Sequence, residues 1–261
     1  MLTDSQKREF VDRGFIKIPG AIPMMQVETA RRAINHSIGE VGKGGENMDN
    51  NRSSYFCAEL CDQPVITDLF NGPAVMSVLE SLMGDGNVQR ISWAKPYPRF
   101  PLEPGTEPST PGGHMDGTGN GLNGTAKGDY NRNFTAFAVV YLMDLPNEWS
   151  GNFTVWPGSH RACEAHFKEV GHEVLSNGNP DIEFLEPPIQ ITGKAGDLIL
   201  AHHAMIHTGG PNASPDVRLA VIARPRHVDV DKLGNDAYLD IWAEWPGVKK
   251  VLDQGQVTSV N

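Results

Sequence analysis

The chain has 261 residues, 39% of them hydrophobic and 21% charged, a balance that suits one sizeable globular domain. Its formal net charge is −10 with Lys and Arg scattered, which argues against a nucleic-acid partner, and no run approaches the roughly 18 apolar residues that span a bilayer, so no membrane contact is expected. The polar opening lacks the apolar stretch of a signal peptide, and three cysteines without framework spacing, Cys57, Cys61 and Cys163, point to reduced thiols in a cytoplasmic protein.

Thr3 and Gln6 read as a capping box opening a helix that Gly14 stops. Phe15, Ile16 and Ile18 form a short strand before Pro19 and Gly20. Pro23 marks a second helix start, with Val27, Ala30, Ala33, Ile34 and Ile38 at helical spacing up to Gly39. Residues 40–54 read as a mobile Gly- and Asn-rich loop, and two short helices follow near 64–70 and 73–83. After Gly86 short apolar runs alternate with Gly, Pro and Asn turns, near 88–94, 134–143, 152–156, 189–191, 197–202 and 217–223. Between them, 95–132 is a long segment of the kind used as an active-site lid. Tyr238, Leu239, Ile241, Trp242 and Trp245 predict a last helix packed on the core.

The expected fold is mainly β with flanking helices, built on a double-stranded β-helix core of the jelly-roll or cupin form. A mostly helical layer covers 1–86, the jelly roll 87–228 and a helical tail 229–261, all in one domain.

His114 and Asp116 flank Met115 in the long segment. In an extended chain residues i and i+2 point to one face, so both side chains can reach one ion. Two imidazoles and a carboxylate suit Fe(II) and leave positions open for other ligands. An H-x-D triplet alone is a weak signal in a chain with nine His. The block GDLILAHHAMIHTGGPNASPDVR supplies a third donor in His207, with His203 as the competing candidate on the same predicted strand. Arg218 follows His207 by eleven residues, and a hairpin of that length returns it beside His207, where a planar guanidinium can bind a carboxylate with two parallel hydrogen bonds. Cys57 and Cys61 are four apart, a conceivable metal pair, but no second Cys/His pair at zinc-site spacing accompanies them. Lys95, Arg99 and Arg132 flank the variable segment, either as receptors for an anionic group or as solvated surface charge.

The opening LTDSQKREFVDRGFIKIPGAI, the HMD triplet, the run NFTVWPGSHR and the block GDLILAHHAMIHTGGPN with its trailing Arg together resemble the phytanoyl-CoA dioxygenase family over nearly the whole chain. The resemblance implies a non-haem Fe(II)- and 2-oxoglutarate-dependent dioxygenase. His114, Asp116 and His207 would bind iron, and Arg218 the far carboxylate of 2-oxoglutarate. Thr135 aligns with a strand position near the co-substrate, although an ordinary strand Thr fits equally well. His160, in PGSHR, would belong to a structural turn. Phe134 and Trp156 would wall the pocket or sit in the core, and Asn212 would brace the turn before Arg218. The implied reaction consumes molecular oxygen, releases succinate and carbon dioxide, and hydroxylates an unactivated carbon of a small-molecule substrate. Related halogenases lack the carboxylate ligand, and Asp116 argues against that chemistry. Two rivals remain: a cupin-like metalloenzyme that needs no Arg218, and a binding module without catalysis.

Overall fold

A computed structural model of the chain describes residues 1–44, 53–110, 112–119, 125–184 and 186–257. Most of the loop expected at 40–54, and residues 111 and 120–124 of the long 95–132 segment, lie outside these.

Helix α1 (Asp4–Arg13) opens with the expected capping box. Thr3 accepts from the Gln6 amide, and the Gln6 side chain accepts from the Thr3 N–H. Gly14 closes it in the left-handed region at φ 78°, donating to the Phe10 carbonyl at 2.7 Å. The chain enters β1 (Phe15–Ile18), then α2 (Met24–Glu40), α3 (Pro64–Asn71) and α4 (Pro73–Met83), the last two each starting on a proline whose missing N–H costs a helix nothing there.

Strands β2 (Ala94–Pro96), β3 (Ala136–Tyr141) and β4 (Phe153–Val155) follow, then helix α5 (Ser159–Val170). The remaining strands are β5 (Ile189–Gln190), β6 (Leu198–His202), β7 (His207–Gly209) and β8 (Ala220–Ala223). The chain then reaches α6 (Val230–Leu233) and α7 (Lys249–Val257). Among the described residues two antiparallel sheets result, of order β1-β6-β3-β8-β2 and β5-β4-β7.

Strand β3 shows why the sheets stack. Ala136, Ala138 and Val140 pack into a cluster with Phe10, Ile34, Leu69 and Leu79 of the helices. Phe137, Val139 and Tyr141 join Phe153 and Val155 of β4 in a second cluster between the sheets. Period-two alternation thus carries apolar side chains to both faces, and every residue of β3 is buried. The order of layers is helices, large sheet, small sheet.

Helical residues outnumber strand residues, so the expectation of a mainly β chain describes the core and not the whole. The 1–86 layer is not separate from that core either, since β1 pairs with β6 in register Phe15↔Ala201. Helix α5 was not expected from its sequence. The predicted terminal helix lies later than expected: residues 234–238 and 246–248 form short 3-10 turns, and α7 begins only at Lys249. Pro246 and the glycines at 234 and 247 keep the aromatic run from one continuous helix.

Candidate metal centre

The apolar block that carries His207 bends. β6 belongs to the large sheet and β7 to the small one, and the turn at 203–206 carries the chain between them. His203 therefore does not share a strand face with His207. Its ring lies 4.2 Å from that of His202 and 5.7 Å from that of Tyr238. The expectation of one continuous strand is corrected by this corner, where Met205 N–H donates to the His202 carbonyl at 3.0 Å.

Past the corner, β7 meets the 95–132 segment. His114 and His207 form an antiparallel bridge in which each N–H donates to the other's carbonyl at 3.0 Å. Directly opposed residues share a face, and the two rings stand 4.7 Å apart between centroids. Asp116, two residues on, reaches the same point: its Oδ1 lies 3.4 Å from His114 Nε2 and 4.0 Å from His207 Nε2. The donor atoms of the three all lie within 4.8 Å of one another, and no other His/Cys/Asp/Glu group is so arranged among the described residues.

Local contacts fix each donor. His207 Nδ1 lies 3.0 Å from the Met205 carbonyl, which can only accept, so Nδ1 carries the proton and Nε2 keeps its lone pair toward the cluster. Phe137 packs on the ring at 4.2 Å. Burial, then the neighbouring His114, pushes the His207 imidazole down to about 4, so it stays neutral at physiological pH. Asn179 spans the backbone beneath His114, accepting from Met115 N–H at 3.2 Å and donating to the Gly113 carbonyl at 3.3 Å. Gly117 turns the chain at φ 83° immediately after Asp116.

Burial alone would raise the Asp116 carboxyl. A hydrogen bond from His114 and the positive charge of Arg224 outweigh it and hold the group well below the usual carboxylate range. Arg224 Nη2 donates to Asp116 Oδ2, and its guanidinium lies over Phe134 and Phe137, 5.3 and 5.7 Å from their centroids. This arginine was missed in the sequence reading. The signal was present: Arg218, Ala220, Ile222 and Arg224 alternate along β8 and its flanks, and an arginine on a strand's inner face needs a partner.

Arg218 is buried. Its Nε donates to the Gly151 carbonyl at 2.7 Å and Nη1 to the Tyr97 carbonyl at 2.9 Å. Nη2 faces β7: a Cβ added to Gly209 would stand 3.8 Å from it. Gly209 is two residues beyond His207, so Arg218 stands one pleat along from the His207 imidazole. Burial lowers its guanidinium to about 10, still a cation at neutral pH.

The other candidates fall as follows. Thr135 is fully buried, and its hydroxyl accepts from His227 N–H at 2.9 Å. Trp156 closes over Gly113 and packs on Phe184 at 6.5 Å. Asn212 braces its turn, donating to the Arg99 and Asp216 carbonyls at 2.8 Å. His160 is buried away from the cluster and bonds the Val11 carbonyl at 3.0 Å. Arg132 is neither an anion receptor nor surface charge, because it forms a buried two-pronged pair with Glu244 at 2.7 and 2.8 Å. Arg99 donates to the Gly209 and Gly210 carbonyls, and Lys95 to that of Phe56. Cys61 Sγ contacts the Cys57 carbonyl at 3.5 Å, and all three cysteines are free and buried.

The family model for phytanoyl-CoA dioxygenase (PhyH) matches residues 10–220. The chain belongs to the phytanoyl-CoA dioxygenase family. No curated protein matches it in sequence. Among solved structures, it is similar to the epimerase SnoN from nogalamycin biosynthesis in complex with Fe3+, alpha ketoglutarate and nogalamycin RO, with TM-score 0.59, 16% identity, and coverage of 85% of this chain and 82% of that one. HygX from Streptomyces hygroscopicus with nickel and 2-oxoglutarate bound gives TM-score 0.55 and 18% identity, covering 87% of each chain. EctD from S. alaskensis in its apoform gives 0.58 and 17%, covering 86% of this chain and 77% of that one. At these identities the likeness speaks for the fold. No helix among the described residues is long and apolar enough to cross a membrane.

Proposed function

We propose that this member of the phytanoyl-CoA dioxygenase family is an Fe(II)- and 2-oxoglutarate-dependent oxygenase that hydroxylates an unactivated carbon of a small organic molecule. The carrying observation is the convergence of His114, Asp116 and His207 on one point, with the His207 tautomer set by the Met205 carbonyl. Two neutral imidazoles and one carboxylate are the donor set that suits Fe(II) and leaves positions open. The bound iron and co-substrate supply the oxidising chemistry, with succinate and carbon dioxide released.

The chain's own residues supply position and dryness. Arg218, buried and still charged, receives the far carboxylate of 2-oxoglutarate, with two backbone carbonyls holding its fork in place. Thr135 anchors the 225–227 segment that follows Arg224, its hydroxyl accepting from His227 N–H and its own N–H donating to the Pro225 carbonyl. Phe137 and Phe153 pack on the His207 ring and keep water from that donor. SnoN is seen with nogalamycin RO and HygX with hygromycin B, which supports an organic small-molecule substrate here. SnoN is an epimerase and SnoK a carbocyclase, so the outcome of oxidation varies on this fold. Three buried thiols suit a reducing cytoplasm.

The test is to add Fe(II) and 2-oxoglutarate to the metal-free protein without oxygen and to look for the weak visible charge-transfer band of the chelate. The band should weaken in Arg218→Ala and vanish in His207→Ala. Iron bound without a band would favour a metalloenzyme that does not use 2-oxoglutarate, and no iron bound would favour a binding module.

A further inference from the structure

Asp116 has two oxygens, and the structure treats them differently. Oδ1 faces the Nε2 atoms of His114 and His207, at 3.4 and 4.0 Å. Oδ2 is met by Nη2 of Arg224. A carboxylate can give a metal one oxygen or both, and the choice decides how many positions stay open. A two-oxygen grip would occupy one of the positions that a chelating co-substrate and oxygen need.

Arg224 is built to impose the choice. The β3–β8 register pairs Ala138 with Ala223, which sets Phe137 across from Arg224. The guanidinium then lies over Phe137 and Phe134, whose rings are in edge contact at 4.9 Å between centroids. A stem laid on two rings and a planar head aimed at one oxygen leave the arginine little freedom. Its side chain is 34% exposed, against 4% for Asp116, so it forms the wet wall of the cluster while the carboxylate stays dry.

We propose that Arg224 is a positioning residue that holds Oδ2 of Asp116 away from the metal, so that the carboxylate offers the ion a single oxygen. The assignment rests on the metal site proposed above. It separates the two arginines that flank β8: Arg218 receives the co-substrate, and Arg224 sets the coordination number. A lysine would supply the charge without the planar fork, and a glutamine would supply neither charge nor reach.

The experiment uses Co(II) as a spectroscopic probe in the full chain, without oxygen, in the parent, Arg224→Lys and Arg224→Gln. Three readouts are taken: the visible band of the Co(II) protein, its affinity for Co(II), and the 2-oxoglutarate concentration that perturbs the band. Gaining a ligand oxygen lowers the band's intensity. The Gln variant should show a weaker, shifted band and about tenfold weaker 2-oxoglutarate binding, as loss of an outer-sphere partner commonly costs. The Lys variant should recover part of both. Melting temperatures of the metal-free proteins show that each variant folds, and a side chain this exposed tolerates the exchange. A Gln variant with the parent's band and 2-oxoglutarate affinity overturns the assignment. So does one with the parent's band and weakened 2-oxoglutarate binding alone, which would place Arg224 on the co-substrate. A parent that binds no Co(II) overturns the metal site as well, whereas a negative result confined to the variants leaves that site standing.

Discussion

Arg218 and Arg224 bracket one face of β8, six residues apart, with Ala220 and Ile222 between them facing the inter-sheet core. At about 3.3 Å per residue their backbones are separated by roughly 20 Å. Two long side chains close most of that span. Small and apolar residues fill the interval, so the face carries a cation at each end, and the candidate metal donors sit at the Arg224 end.

The Arg218 end is tested by shortening it. With its charge buried and its Nη2 turned toward β7, Arg218→Ala should weaken 2-oxoglutarate binding by roughly 2–4 kcal/mol, while Fe(II) affinity stays within a few-fold of the parent. Arg218→Lys should recover little, because a point charge cannot replace the fork. Equilibrium titration of the chelate band measures both. Equal 2-oxoglutarate affinity in all three proteins would remove Arg218 from the site.

Gly117 offers a backbone test. It sits at φ 83°, and a Cβ there would lie 2.4 Å from the Asn131 carbonyl oxygen. Gly117→Ala must displace the turn that follows Asp116, at a cost of order 1–3 kcal/mol in stability. Fe(II) affinity should fall about tenfold or more, since a donor moved by a fraction of an ångström no longer converges with the others. A variant that melts lower and yet binds iron like the parent would show that the turn does not position Asp116.

Arg132 and Glu244 are both fully buried and joined by two hydrogen bonds. Glu244→Ala leaves an unpaired buried guanidinium and should cost roughly 3–5 kcal/mol in chemical denaturation. Arg132→Met with Glu244→Leu should recover only part of that, because Arg132 also donates to the Gly234 and Phe134 carbonyls, which would lose their donor. A single variant as stable as the parent would mean that the pair is solvated.

Acid stability turns on the histidines packed behind β6. Burial pushes His160 down to about 4 and holds His202 and His203 well below the ordinary imidazole value of 6.5. The unfolded chain takes up protons below about pH 6.5, whereas the folded chain does not take one at His160 until about 4. Stability is therefore fully present above the unfolded value and drains away as the pH falls through that window. His160 alone accounts for about 3 kcal/mol of the loss. Denaturation at about pH 7.5 and about pH 5 should show this slope, reduced in His160→Gln, and a slope unchanged in that variant would place the effect elsewhere.

Local grammar made much of this legible in the sequence. The capping box at Thr3, the stop at Gly14 and the apolar run near 134–143 are short-range signals, and they hold. His114 and Asp116 stand out as an H-x-D triplet, whereas His207 is preferred to His203 through the family resemblance and its eleven-residue spacing to Arg218. What escaped was whatever depends on a change of direction. Between Leu198 and His207 there is no Gly, Pro, Asn or Asp, only apolar residues and the pair His202 and His203, so no turn residue marks the corner that sends β6 and β7 into different sheets. Helix α5 was hidden because its first turn, SHR, follows Pro157 and Gly158 and reads as turn chemistry. In the sequence Arg132 stays open between anion receptor and surface charge because its partner lies 112 residues away. Arg224 was visible only by extending the alternation of β8 one residue past the strand's end.

Strand β1 sits at one margin of the large sheet, against β6 alone. Residues 15–18 pair only with residues 198–201, far along the chain, so this contact has a high loop-closure cost and β1 is among the last strands to be seated. Until it arrives, β6 offers the apolar run Leu198–Ala201 as an open border that any extended chain can join. The amino-terminal strand is thus a selvedge, the finished edge that keeps the fabric from unravelling into its neighbours. Trimming the first twenty residues would leave every proposed metal and co-substrate ligand in the chain and expose the molecule to aggregation before those ligands could be used.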